Sequence, residues 1–216
     1  MINKYKRNNI NAMSKFSTKY NLLIEALMIN KTEFLLQIFG LLYPEEIEIT
    51  QDGKINILSL KNTIDNLKYY QDFCVTTEMV KNGKLIINFN KSNKTFYCNN
   101  LYLNTLEGCP KAVLGTFTCY DNNLKNLIGG PKAISDNFDC SDNNLTSLEG
   151  CPEEIPGSFL CNGNDVTSLK HFPKRIGQDL HMLDNQTKFT IKQIEEVCQV
   201  TGKIIGIYNT SKGSQI

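Results

Sequence analysis

The chain predicts an α/β fold built as a solenoid, with about five short parallel strands stacked by a repeat, a mixed α+β unit before them and a helix and strand after them. Three observations predict it. Phe96, Phe117, Phe138 and Phe159 recur every 21 residues, and Leu180 holds the same place in a fifth copy. Other residue types keep fixed offsets from that aromatic position. The hydrophobic pattern then changes character on both sides of the array.

Within the array a cysteine follows each Phe by two residues, at Cys98, Cys119, Cys140 and Cys161, with Met182 in the fifth copy. Leucines stand ten residues on, at Leu106, Leu127, Leu148 and Leu169, and asparagines fall between at Asn122, Asn143, Asn164 and Asn185. Each copy closes on Pro110, Pro131, Pro152 or Pro173, in turns such as Glu107-Gly108-Cys109-Pro110. Alternate strand residues point the same way, so each Phe and its Cys face one side while the residues between them face the other. One repeat unit cannot bury its own apolar face. Stacking therefore predicts a Phe stack, a Cys stack and a Leu stack in one continuous core. The asparagine is expected to bond backbone groups left unpaired where the chain leaves the strand, a structural role and not a catalytic one.

This pattern resembles the leucine-rich repeat, whose frame is L-x-x-L-x-L-x-x-N-x-L. Phe117, Cys119, Asn122 and Leu124 take its second and third apolar sites, its asparagine and its fourth apolar site. The first apolar site is Leu114 once but Ser135, Pro156 and Gly177 elsewhere, and Leu101 stands for the first asparagine. The short period and the proline after the turn are similar to the repeats of bacterial effector proteins and of related arrays in bacterial and phage genomes. The resemblance implies a leucine-rich-repeat solenoid over residues 94 to 185 that works through its strand face. Some such effectors are ubiquitin ligases through a separate catalytic cysteine domain, for which residues 186 to 216 are too few, so that activity is not expected here.

Four segments follow: a flexible basic N-terminus (1–15), an α+β unit (16–93), the array (94–185), and a C-terminal cap and tail (186–216). In the second, Ser17 or Thr18 is placed to cap a helix through Leu22, Leu23, Ile24, Leu27 and Met28, and Thr32 another carrying Phe34, Leu35, Ile38, Phe39 and Leu42. Gln51-Asp52-Gly53 between Ile47-Glu48-Ile49 and Lys54 to Leu58 signals a hairpin, and Lys81-Asn82-Gly83 signals another. The stretch around Ile64, Leu67, Tyr69 and Tyr70 reads as helical or irregular. In the fourth segment Thr190 and Gln193 have capping-box spacing, and Ile191, Ile194, Val197 and Cys198 make an apolar stripe. Gly202 is expected to stop that helix, Lys203 to Tyr208 to add a strand, and Asn209 to Ile216 to be loose. Caps are expected at both ends, because an open solenoid exposes core and a pairing edge.

Composition sets the outer bounds. A hydrophobic content of 41% suffices for a folded core, and no run reaches the ~20 apolar residues of a membrane helix. The start, Met1 to Arg7, leads into polar Asn8-Asn9 and not an apolar signal core. Eight cysteines suggest a disulfide scaffold at first sight, but four are ladder residues and no C-x-x-C pair supports zinc. Free thiols favour a reducing cytoplasm. None of the P-loop, H-E-x-x-H, G-x-S-x-G or G-x-G-x-x-G motifs occurs, and the two histidines, His171 and His181, lack a nucleophile or metal set beside them. No enzyme, cofactor or metal is expected.

Net charge of +1 conceals an asymmetry. Residues 1 to 95 hold 13 Lys and Arg against 9 Asp and Glu, and residues 96 to 185 hold 6 against 11. The array is acidic, which suits a basic protein partner and disfavours nucleic acid on the repeats. The residues expected to meet that partner are Tyr97, Thr118, Tyr120, Asp121, Asp139, Asp142, Leu160, Asn162, Asp179, His181 and Leu183. Abundant Asn, Lys and Ile suggest an AT-rich genome, and with the repeat type they point to a phage protein or bacterial effector that inhibits a host factor. Two rival readings stand beside this one. A basic pocket around Lys61, Lys68, Lys81 and Lys84 would make the N-terminal unit an enzyme or nucleic-acid binder with the repeats as a targeting arm, and packing of the array on its own copy would make it a self-assembling component.

Overall fold

A computed structural model describes residues 47–49, 54–57, 72–209 and 214–215. The chain winds as a parallel β-solenoid of about six turns. Each turn gives one short strand to a seven-stranded parallel sheet, in the order Phe73–Cys74, Phe96–Tyr97, Phe117–Thr118, Phe138–Asp139, Phe159–Leu160, Leu180–His181, Ile204–Ile205. The aromatics pair in register, Phe96 with Phe117, Phe117 with Phe138 and Phe138 with Phe159. The five expected array strands are joined at one end by Ile204–Ile205, within the closing strand expected at 203 to 208, and at the other by Phe73–Cys74, which was not expected to pair with them.

A second ladder, not expected from the sequence, closes the other side of each turn. It runs through Phe89–Ser92, Ala112–Val113 and Ala133–Ile134, and then through Glu154–Ile155, Arg175–Ile176 and Gln199–Val200. Its inward residues are Val113, Ile134, Ile155 and Ile176, all buried. They lie one position before the first apolar site of the leucine-rich frame. Leu114, which that frame placed in the core, is 55% exposed. A side chain one residue out of step on a strand points to the opposite face.

The core follows the repeat. Phe96, Phe117, Phe138 and Phe159 are fully buried, with ring centroids of neighbours 5.3 to 6.0 Å apart, and Phe73 extends the stack at 5.2 Å. Cys98, Cys119, Cys140 and Cys161 are fully buried beside them, as are Leu106, Leu127 and Leu148, while Leu169 is half-buried. All eight cysteines are free thiols. Cys98 Sγ donates to the Thr118 carbonyl at 3.3 Å, and Cys140 Sγ to the Leu160 carbonyl at 3.5 Å.

The asparagine column ties one turn to the next. Asn143 Nδ2 donates to the carbonyls of Cys119, Cys140 and Ser141 at 3.0 to 3.2 Å, while its Oδ1 accepts from the Leu124 N–H at 3.0 Å. Asn122, Asn164 and Asn185 repeat the arrangement.

Both turn signals hold. Ile47–Ile49 pairs antiparallel with Ile55–Ile57, and Val80–Lys81 pairs with Lys84–Leu85 across Asn82 and Gly83, both at positive φ as a type I′ turn requires. The capping box is present: Thr190 Oγ1 accepts from Gln193 N, and Gln193 Oε1 from Thr190 N. The helix is only Ile191–Glu195, the one α-helix among the described residues. Ile194 and Cys198 are buried as the stripe predicts, but Val197 is 42% exposed. Gly202 does not end this helix. It sits where an added Cβ would stand 2.2 Å from Asp179 Oδ1, so it allows the last turn to approach the one before. Tyr208–Asn209 and Ser214–Gln215 form a hairpin where a loose tail was expected. The helices expected before residue 47 and the stretch around Ile64 to Tyr70 lie outside the described residues.

Two outcomes follow from the core. Asn143→Ala leaves the Leu124 N–H without its acceptor, at about 1–3 kcal/mol for a buried group unpaired, while the carbonyls of Cys119, Cys140 and Ser141 keep Asn122 Nδ2, Asn164 Nδ2 and the Asp121 N–H as donors. Urea denaturation should show a loss of about 1–3 kcal/mol, against under about 0.5 kcal/mol for the exposed Asn144→Ala. The second concerns the thiols. Burial raises Cys198 from its ordinary 9.0 to about 11, and raises Cys98, Cys119, Cys140 and Cys151 well above 9.0. Below pH 9 both folded and unfolded thiols are protonated, so stability is unaffected. Above it the unfolded chain releases protons that the folded one retains, and stability falls by about 1.4 kcal/mol per pH unit per thiol until the folded pKa is passed. Thermal melts should therefore show Tm dropping steeply between pH 9 and pH 11, less so in Cys198→Ala.

Candidate functional site

The strand face is built by alternation. Inward Phe and Cys leave outward columns on the long sheet, the central one being Cys74, Tyr97, Thr118, Asp139, Leu160, His181 and Ile205, each in register with the next. Two residues further along each strand stand Asn99, Tyr120, Ser141, Asn162 and Leu183. Five of the eleven expected contact residues thus share one column, and Tyr120, Asn162 and Leu183 share its neighbour.

Several of these side chains are engaged within the fold. Thr118 is 6% exposed and donates to Asn99 Oδ1 at 3.0 Å. Asp139 Oδ1 accepts from Ser141 N at 3.0 Å, Asn162 Oδ1 from Leu183 N at 2.9 Å, and Asp179 Oδ1 from Lys203 N at 2.7 Å. The Tyr97 hydroxyl donates to Asp72 at 3.4 Å, and burial together with the Asp72 charge raises its pKa. Asp179 and Asp139 form no dyad with His181: the first is held by the Lys203 backbone, and the second lies two strands away, roughly 10 Å.

Asp121 and Asp142 have a different origin. Both are exposed and in the left-handed region, at φ 54° and 52°, as are Asp184 at 54°, Asn100 at 55° and Gly163 at 57°. Five successive turns adopt that conformation three residues past the end of the strand, and Asp, Asn and Gly are the residues that accept it. Backbone geometry therefore explains the short side chain there. It does not explain the charge, since Asn100 serves equally.

No cation neutralises this face among the described residues. The ion pairs there are Lys84 with Glu107 and Lys174 with Glu153, both away from it. Lys111 and Lys132 donate instead to the carbonyls of Gly129 and Gly150. The half of the basic group that can be located, Lys81 and Lys84, lines a shallow hollow of about 530 Å³ with Asn82, Leu85, Ile86 and Asn88. Lys84 is already paired there, which lowers the Glu107 pKa, and Lys61 and Lys68 lie outside the described residues. No three His, Cys, Asp or Glu side chains among the described residues cluster as a metal would require, and no helix among them is long and apolar enough to cross a membrane.

Sequence reasoning missed Cys74 at one end of this face, the 74% exposed Tyr102 held at φ 54° beyond the strand exit, and the burial of Ser141, which is 7% exposed with an unpaired Oγ. The Phe73–Cys74 strand is 23 residues from its neighbour, outside the period, while Ile205 at the other end falls in the strand expected at 203 to 208. Comparison with family models, with curated proteins and with solved structures gives no match.

The left-handed position carries a direct test. Asp142→Asn and Asp142→Gly should leave the thermal midpoint nearly unchanged, whereas Asp142→Val should cost about 1–2 kcal/mol, measured by denaturant unfolding.

Proposed function

We propose that this chain is a non-enzymatic protein-binding module of leucine-rich-repeat type, and that a basic segment of another protein lies along its strand face. The repeat-type reading is supported by the asparagine column, which occupies the frame's asparagine position and bonds the turns as that frame demands. Residues 186 to 216 act in this reading as the C-terminal cap. The binding reading rests on one observation: Asp121 and Asp142 stand on successive turns, with Asp139 on the same turn as Asp142, and no cation pairs with any of them among the described residues. Like charges stacked ~5 Å apart repel by about 1 kcal/mol in water, and a cationic partner reverses the sign. The setting proposed is a phage or bacterial effector that acts by occupying a host protein.

The test keeps the fold and removes the charge. Asn tolerates the left-handed region and still accepts a hydrogen bond, so the triple variant Asp121→Asn, Asp139→Asn, Asp142→Asn is preferred to reversal with Lys. A protein retained from lysate by the parent at low salt, released at about 0.5 M salt and lost by the triple variant is the expected result. Equal retention by both moves the site off this face.

A further inference from the structure

The centre of the strand face holds a polar group that the fold itself does not satisfy. Ser141 alternates with inward Cys140, so its side chain belongs to the face, yet it is 7% exposed and its Oγ has no hydrogen-bond partner among the described residues. Buried hydroxyls without a partner are rare and unfavourable. Its backbone N–H is used, bonded to Asp139 Oδ1. On the adjacent strand, next to Ser141, is Tyr120, 37% exposed, and on the other side is Asn162, whose amide oxygen is already taken by Leu183 N. Asp142 follows in sequence and Asp121 follows Tyr120, both exposed. Nearer the N-terminal end, Thr118 and Asn99 are tied to each other and Tyr97 to Asp72.

What remains unmatched is therefore one hydroxyl, one aromatic ring and carboxylates without a cation. A flat cation with several donors fits all three. A guanidinium stacks on a tyrosine ring, forks onto a carboxylate, which keeps free lone pairs even where Asp139 accepts from Ser141 N, and gives a further N–H to a hydroxyl. Serine changes rotamer easily, so an arriving donor can draw Oγ out. A lysine ammonium offers a point charge without the stack.

We propose that Tyr120, Ser141, Asp139 and Asp142 form a receptor for one arginine side chain of the partner. It rests on the strand-face reading and narrows it from a basic segment to an arginine-bearing one.

The experiment titrates the full chain with two capped hexapeptides, one alternating Gly and Arg and one alternating Gly and Lys, by calorimetry at low salt. Because the chain has nine tyrosines and no tryptophan, tyrosine fluorescence gives a second readout. The Arg peptide should bind roughly two- to fivefold tighter than the Lys peptide. Tyr120→Ala and Ser141→Ala should each erase that preference while leaving the affinity for the Lys peptide within about twofold. Equal affinity of the parent for both peptides, or a preference that survives in both variants, overturns the arginine receptor. If that happens while the triple Asp→Asn variant still loses the lysate protein, the strand-face reading stands and only the receptor falls. If neither peptide binds and the triple variant retains its partner, both fall.

Discussion

The asparagine at the strand exit is the constraint on which the rest depends. A parallel turn has to reverse direction where backbone groups leave the sheet ladder, and those groups lie inside the stack, away from water. One amide side chain provides both a donor and an acceptor, so it can satisfy carbonyls of its own turn and of the previous one while receiving an N–H from the turn before. That dual reach fixes the height and rotation between turns. Once these are fixed, Phe lands on Phe, Cys on Cys and Leu on Leu, and a core forms from units that have none alone. Cysteine suits the inner position because it is small, apolar when protonated, and able to donate weakly to a strand carbonyl.

The same register has an outward consequence. Whatever residue type follows the Phe is stacked on its counterpart in the next turn, so the face is a set of columns and not a mosaic. Left-handed residues at the strand exits add a row whose chemistry is limited to Asp, Asn and Gly. Within that limit the chain uses Asp at three of five places, and none of them takes part in the ion pairs among the described residues.

Much of this was legible in the sequence because it repeats. Phe, Cys, Leu and Asn columns were placed correctly, since a 21-residue recurrence of four residue types overdetermines the stacking. The Asn82-Gly83 turn and the Thr190 to Gln193 box were equally clear, being short-range chemistry. The second ladder was hidden although Val113, Ile134, Ile155 and Ile176 keep the 21-residue period, because two-residue strands show no alternation, Leu114 stands beside Val113, and the borrowed frame set the inward site one residue late. Strand Phe73–Cys74 escaped because an altered loop length broke the count, whereas Ile204–Ile205 falls within the strand expected at 203 to 208. The aspartates read as a contact surface from sequence alone, because nothing in the letter D reveals a positive φ. Ser141 could not be singled out at all, since its unpaired oxygen is a property of its neighbours.

A turn of this solenoid is also a unit of heredity. Twenty-one residues correspond to a 63-nucleotide segment of gene, a multiple of three, and each turn docks only on the turns before and after it. Slippage or unequal recombination between copies would therefore add or delete a whole turn in frame, lengthening or shortening the face by ~4.8 Å while leaving every other contact in place. The reach of such a protein can drift in discrete steps, independently of the residues that decide what it holds.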